Sequence, residues 1–394
     1  MSRAQLIEMA RRNLANTRAG TVEQVDGVFR VPAVNYYDSD RWRLELDRIF
    51  RRLPLVLGFS SELREPGSYR AMMVADSPVL LTRASDGVIR GFLNVCSHRG
   101  ARVVSEGTGS ANRFTCPYHA WSYDNEGALV GVYKGDDFGD VDKTCLGLTP
   151  LQVEERAGLI FGGLDRDQTL DLDRFLCGYD ELLAHLGFDE CVLVGRQEVA
   201  GPNWKVAYDG YLDFYHLPIL HKSTFGPDAS SDALYDAWGP HQRVSMPNPG
   251  YEEFASKPEE EWNTRDLISG VWTIFPHVSV ADFYAGQKIY LVSQLFPGET
   301  PDESVTVQNF LATEEPNEVQ RKKIDEMMGL LLHVVRDEDY FTGNRIQQNV
   351  KTGAKQEFLF GRNEGGGQRF HRWVDALIEA DDAEAEKLFR EGLA

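Results

Sequence analysis

Two short arms, each carrying one cysteine and one histidine, constrain this chain more than any other stretch. The first is Cys96-Ser97-His98-Arg99-Gly100, and the second is Cys116-Pro117-Tyr118-His119-Ala120-Trp121. Seventeen residues lie between His98 and Cys116. Four side chains on two arms must reach one place, and the tips of two β-hairpins achieve this with few residues. Phe92, Leu93 and Val95 lead into the first arm and Phe114 into the second, while Gly100 and Pro117 suit tight turns.

Two thiolates and two imidazoles can hold zinc. Zinc fingers, however, place both cysteines in one arm and both histidines in the other. Here each arm is mixed. That arrangement favours a Rieske-type [2Fe-2S] cluster, in which one iron takes two Cys and the other two His. Histidine ligation raises the potential above that of an all-cysteine cluster, so such a centre hands electrons on.

The 394 residues suffice for two or three domains. Lys and Arg number 41 against 61 Asp and Glu, so 41 − 61 gives a net charge of −20. An acidic surface repels phosphate backbones, which argues against a nucleic-acid partner. No apolar run approaches the ~18–20 residues of a membrane span. Residues 1–14 include Arg3, Glu8, Arg11 and Arg12 and lack an apolar core, so no signal peptide is expected. Cys145, Cys177 and Cys191 are isolated and read as reduced, buried thiols of a cytoplasmic protein.

Along the chain, residues 1–54 read as an N-terminal helical segment packing on a catalytic domain. Its second helix spans 38–53, capped by Asp38 or Ser39, with Trp42, Leu46, Ile49 and Phe50 on one face. Residues 55–165 read as a small all-β domain, with runs at 68–74, 79–82 and 88–95 and a hairpin turn at Asp86-Gly87. A boundary is expected at 165–169. Residues 166–394 read as a second domain, with a helix at 170–186 and strands at 191–194, 196–199, 271–280, 283–284, 288–296 and 304–313. Helices are expected from Trp204, at 316–335, at 337–351 and at 368–379, and 222–262 reads as a long irregular loop. The fold class is α+β: an all-β domain that carries the Cys/His arms, then a domain of antiparallel strands and helices.

The stretch from Asn203 to His221 carries a second constellation. Asp213 and His216 are three residues apart and share a face if the segment is helical. His216 and His221 are five apart, and Pro218 between them can swing the second back. Two imidazoles and one carboxylate on one side of a metal form the facial triad of non-haem Fe(II) oxygenases, with positions left open. The carboxylate must come from elsewhere. Asp337, Glu338 and Asp339 crowd what reads as a helix start, where acids commonly complement the helix dipole.

Together these motifs resemble the large (α) subunit of Rieske non-haem iron aromatic-ring-hydroxylating oxygenases. Cys96-x-His98 with Cys116-x-x-His119 matches that family's cluster motif, and Asp213-x-x-His216-x4-His221 its iron motif. The resemblance implies an all-β Rieske [2Fe-2S] domain plus a catalytic domain with an antiparallel sheet flanked by helices, of helix-grip (START-like) type, and cluster ligands Cys96, His98, Cys116 and His119. It implies iron ligands His216, His221 and Asp339, the last on a helix with Gln347 eight residues on. Asp213 is implied to link an iron-bound His to a cluster His of a neighbouring subunit, and Asn203 to lie near the iron. The chain departs from the family at Leu53-Pro54 and across residues 131–138.

The resemblance further implies a terminal oxygenase that hydroxylates a small aromatic substrate, in the first place by dihydroxylation, with O₂ as co-substrate. Electrons would come from NAD(P)H through a separate reductase, a ferredoxin, or both. The assembly would be a homotrimer (α3) or α3β3. The alternative is a monooxygenase or demethylase acting on a methyl ether, N-methyl or alkyl group, and a more distant one is an electron carrier only. No G-x-G-x-x-G follows a strand, so no bound flavin or nicotinamide is expected, and the glycines at 361–367 read as a loop. Tyr208, Leu212, Val280 and Phe283 are candidate pocket residues by position. Arg99, Arg102 and Arg113 around the cluster arms suggest a basic docking spot for an acidic ferredoxin.

Overall fold

The computed structural model describes residues 2–393 apart from Gln168 and Pro249. The chain divides into two compact units, Phe50–Asp171 and Met1–Ile49 with Leu172–Ala394. Gln168, within the expected boundary at 165–169, lies outside the described residues.

The unit Phe50–Asp171 is built from short antiparallel strands. Ser68–Val74, Ser77–Arg83 and Ile89–Leu93 form consecutive hairpins at the centre of a five-stranded sheet. The Asp86-Gly87 turn closes the second of them, with Asp86 Oδ1 accepting the Val88 N–H. Arg113–Thr115, Ser122–Asp124 and Leu129–Gly131 form one small sheet. Leu55–Phe59, Val153–Arg156 and Leu159–Gly162 form another. Leu80, Phe92, Phe114, Trp121 and Tyr123 pack one core, and Cys96 and Cys116 sit within it.

The larger unit holds a seven-stranded, wholly antiparallel sheet. Its order is Val192–Gly201, Ser304–Ala312, Lys288–Pro297, Val278–Tyr284, Val271–Ile274, His241–Ser245 and Leu234–Trp238. The last two strands form a hairpin inside the stretch expected to be irregular. The strand His241–Ser245 is buried at every position although it carries His, Gln and Arg, so it lacks the alternation that marks a strand. Helix Glu318–His333, opened by an Asn317/Gln320 capping box, lays Ile324 and Leu331 on Val194, Ile289 and Phe310 of the sheet.

That helix does not stop where a break was expected. It continues through a π-wound segment, Val334–Asp339, into Tyr340–Val350. Asp337, Glu338 and Asp339 therefore lie within continuous helical structure, and the helix-start reading of these acids is corrected. The glycine-rich stretch is also not a loop throughout, because Gly365 begins a helix running to Glu379. A Cβ on Gly366 would lie 2.7 Å from the Tyr235 ring, so the close approach of that ring requires glycine. A further helix, Asp382–Glu391, follows.

The N-terminal residues pack on this same unit. Arg11 and Arg18 of helix Ser2–Ala19 pair with Glu259 and Glu252. Strand Phe29–Pro32 pairs with Glu357–Phe360, a partnership between residues far apart in sequence that no local pattern announces. Asp38 caps helix Ser39–Glu45 by accepting the Arg41 N–H, and that helix runs on as a π-wound segment, Leu46–Arg51. Glu45 is fully buried, where Lys205 Nζ and Trp204 Nε1 donate to it. No helix among the described residues is long and apolar enough to cross a membrane.

Candidate metal centres

The two Cys/His arms fold into matching turns. In the first, Gly100 N–H donates to Cys96 O (2.9 Å) and Cys96 N–H to Ala101 O (2.8 Å). In the second, Ala120 N–H donates to Cys116 O (3.0 Å) and Cys116 N–H to Trp121 O (2.8 Å). The fifth residue of each turn is left-handed: Gly100 at φ 75° and Ala120 at φ 55°. Glycine takes that conformation freely, whereas alanine holds it against a steric cost. Asn94, buried below the first arm, accepts the N–H groups of Val103 and Val104 and donates to Val104 O, which fixes the base of the hairpin.

Side chains of the two arms meet. The His98 and His119 ring centroids are 4.7 Å apart, and His98 stacks on Trp121 at 4.9 Å. Cys96 and Cys116 are buried free thiols. Tyr123 Oη accepts the Ser97 N–H (3.0 Å) and lies 3.2 Å from Cys96 Sγ. His119 Nδ1 is buried with no hydrogen-bond partner among the described residues, which costs free energy unless a ligand or metal takes it up. Desolvation, then His98 and Arg99, lower the His119 imidazole below its ordinary value and so favour the neutral, metal-binding form. Buried thiols, an orphaned imidazole nitrogen and mixed arms fit a Rieske-type cluster.

The second constellation is not a single helix. Helix Trp204–Asp209 passes into a 3₁₀ turn, Gly210–Leu212, and Asp213 is extended. One oxygen of Asp213 accepts the Tyr215 N–H within the turn, and the other lies 3.1 Å from His216 Nδ1. Pro218 sits in the first turn of a new short helix, Leu217–Leu220, with His216 at its N-cap, so it starts a helix where a kink was expected. The turn, not a shared helix face, joins Asp213 to His216.

His216, His221 and Asp339 converge, each offering a ligand atom within 4.8 Å of the others. Asp339 Oδ1 is 3.0 Å from His221 Nε2 and 3.7 Å from His216 Nε2. Both Nδ1 atoms face other carboxylates, His216 to Asp213 and His221 to Glu338 at 2.7 Å. Each ring thus turns Nε2 inward, as a carboxylate-oriented metal ligand does. Burial opposes charge on His221, but Asp339 and then Glu338 outweigh it and raise that imidazole. Two imidazoles and a carboxylate with their outer nitrogens satisfied fit a mononuclear Fe(II) site.

Glu338 is the residue that reading the sequence missed. Three acids after an apolar run read as a helix start, where an acid complements the dipole, and the continuous helix through Val334–Asp339 removes that reading. Asp337, the neighbour of Glu338, pairs with His333 and Arg336 instead.

A cavity of about 220 Å³ opens beside the trio, lined by Asp213, His216 and Asp339 with Val206, Tyr211, Ile346 and Phe360. Asp209 and Glu364 also line it, and no Lys or Arg does. None of the four expected pocket residues is among the lining residues. Tyr208 stacks on Phe370, Leu212 is fully buried, Val280 is a core strand residue opposite Trp272 and Val292, and Phe283 packs on the core beneath helix Glu318–His333. Asn203 is not in the lining either. It caps helix Trp204–Asp209 and donates to Tyr36 O and Pro301 O. Of the expected basic spot, Arg102 pairs with Glu106, while Arg99 lies over the Tyr118 ring and keeps its charge.

Comparison with known proteins agrees with this division. Residues 54–137 match the Rieske [2Fe-2S] domain model, and residues 188–380 match the ring hydroxylating alpha subunit (catalytic domain) model. A benzene 1,2-dioxygenase subunit alpha of Pseudomonas putida is 37% identical over 188 residues, 46% of this chain and 42% of that protein. A glycine betaine monooxygenase oxygenase subunit of Chromohalobacter salexigens is 28% identical over 251 residues, 63% of this chain and 54% of that protein. The chain thus spans about half the length of the curated relatives it matches. The fold matches naphthalene 1,2-dioxygenase from Rhodococcus sp. bound to indole, with TM-score 0.75, 22% identity, and 95% of this chain and 98% of that chain covered. It also matches the apo form of a quaternary ammonium Rieske monooxygenase, with TM-score 0.72, 24% identity, and 92% and 96% covered.

Proposed function

Since the chain belongs to the Rieske oxygenase family, as an α subunit of the ring-hydroxylating kind, we propose that it is a terminal oxygenase hydroxylating a small aromatic substrate. The observation that carries this reading is the convergence of His216, His221 and Asp339, of which His216 and Asp339 line a cavity. When bound, a cluster at Cys96, His98, Cys116 and His119 would pass electrons on, and a ferrous ion at the trio would activate O₂. The residues of the chain do the rest. Asp213 and Glu338 orient the two rings, and Val206, Ile346 and Phe360 offer apolar surface to a substrate while excluding water.

Electrons are proposed to come from a separate ferredoxin or NAD(P)H-dependent reductase, and the assembly is proposed to be a ring of three chains. The surface supports this. Tyr118 (56% exposed) and Phe138 flank the cluster arms, while Tyr215 and Ile219 (80% exposed) flank Asp213 and His216. Apolar side chains left bare at both centres suit contact between copies. In that ring Asp213 would lie between His216 and a cluster histidine of the next chain.

A second reading is favoured by one feature of the cavity. Asp209 and Glu364 line it, with no Lys or Arg among the described lining residues. Burial pushes the Glu364 carboxyl up, and Asp213 and Asp209 push it further. Such a cavity disfavours a substrate carboxylate and suits a neutral ring or a cationic N-methyl group. The second reading is therefore monooxygenation of an N-methyl substrate. Turnover in ¹⁸O₂ with an aromatic hydrocarbon and with an N-methylated amine separates the two. Two labelled atoms in the ring product support dihydroxylation; an unlabelled demethylated amine, with the one inserted oxygen leaving in formaldehyde and the other as water, supports N-demethylation.

A further inference from the structure

His221 is gripped at both ring nitrogens by consecutive residues of one helix. Glu338 Oε2 lies 2.7 Å from Nδ1, and Asp339 Oδ1 lies 3.0 Å from Nε2. Consecutive residues of an α-helix point about 100° apart, so two of them do not ordinarily converge on one ring. Here the helix is π-wound over Val334–Asp339, and Glu338 meets one ring nitrogen while Asp339 meets the other.

The two imidazoles are not held alike. The second oxygen of Glu338 accepts from Thr224 Oγ1 at 2.8 Å, and the Thr224 N–H in turn donates to His221 O at 3.0 Å. Glu338, Thr224 and His221 thus close a loop joining the helix to the segment that carries the ring. Asp213 has no such brace, because its other oxygen bonds within its own turn. The His221 side chain is 2% exposed and that of Glu338 12%, against 22% for His216 and 25% for Asp213.

We propose that Glu338, braced by Thr224, is a positioning residue that makes His221 the rigid member of the metal-binding trio and retains the metal, a duty distinct from that of Asp213 on His216. This rests on the reading of His216, His221 and Asp339 as iron ligands. A carboxylate on Nδ1 keeps the proton there, leaves the Nε2 lone pair directed inward, and makes the ring a stronger donor. Removing such a partner lowers metal affinity by about 10–100-fold.

The test is equilibrium competition for Fe(II) between the cluster-loaded protein and a colorimetric ferrous chelator. Glu338→Ala is expected to weaken Fe(II) binding by about 10–100-fold. Glu338→Gln, which keeps an acceptor for Nδ1–H and a donor for Thr224, should lose less, and Thr224→Val should fall in the same direction as Glu338→Ala. Asp213→Ala should weaken Fe(II) binding less than Glu338→Ala, having no brace to lose. Wild-type affinity in both Glu338→Gln and Thr224→Val, or equal losses in Asp213→Ala and Glu338→Ala, overturns the proposal. A wild-type protein that binds no Fe(II) overturns the ligand reading itself, which is a separate outcome.

Discussion

Asp213 holds His216 by the ring Nδ1 at 3.1 Å, and so turns Nε2 of that ring toward Asp339. The contact spans a turn of three residues, needs no helix, and leaves the Asp213 side chain 25% exposed at the protein surface. A carboxylate in that position can orient one imidazole and still be reached from outside. Asp213→Ala should therefore retain cluster and mononuclear iron but lose about 10–100-fold of turnover. Single-turnover assays starting from reduced cluster read this directly. Normal product formation in the variant would remove Asp213 from the electron route.

Asp339 supplies the only carboxylate oxygen of the convergent trio, so its loss leaves two neutral rings. Asp339→Ala should lose the mononuclear iron while the visible spectrum of the cluster is unchanged, because the cluster arms belong to the other compact unit. Iron analysis beside that spectrum checks both halves of the expectation.

The buried pair of Lys205 and Glu45 makes a prediction about stability. Both side chains are essentially unexposed, and burial lowers the Lys205 ammonium pKa while Glu45 opposes that fall. Removing one partner of a buried pair costs about 3–5 kcal/mol, since the other charge is stranded. Arg41 also reaches Glu45 and will soften the loss. Lys205→Met should lower the unfolding free energy by about 3 kcal/mol in urea titrations. An effect near zero would mean that Arg41 alone suffices.

His241 links stability to pH. Its Nε2 lies 2.8 Å from Phe175 O, and its Nδ1 accepts the Phe275 N–H at 3.1 Å. Both ring nitrogens are satisfied only in the neutral form. Burial pushes its pKa from 6.5 down to about 4. Between those values the unfolded chain binds a proton that the folded chain refuses, so stability rises with pH across that window. Its contribution is full above about pH 6.5, is lost as pH falls, and levels off below about 4. The difference in unfolding free energy between wild type and His241→Asn should shrink from pH 7 to pH 4.5. A constant difference would contradict the assignment.

The mixed Cys/His arms were legible because their chemistry depends on spacing alone, and the structure folds both into the same turn. His216 and His221 were legible for the same reason. The geometry that joins them was not, because Pro218 reads equally as a kink in one helix and as the start of another. Glu338 was hidden by a local signal, three acids after an apolar helix, that looks like a helix start when the continuity through Val334–Asp339 cannot be seen. The hairpin Leu234–Ser245 was hidden by polar residues that are buried and bonded, such as Gln242, His241 and Arg243. Val206, Ile346 and Phe360 come to the cavity from three separate elements, so only tertiary packing reveals them.

The central claim is that each chain carries two unlike iron centres. Iron and acid-labile sulfide analysis of the anaerobically purified protein, with electron paramagnetic resonance after reduction, tests it most directly. One [2Fe-2S] cluster and one mononuclear site predict about three irons and two sulfides per chain, with a Rieske-type signal. Zinc at the Cys/His arms, or about two irons with His216, His221 and Asp339 empty after Fe(II) loading, would contradict it.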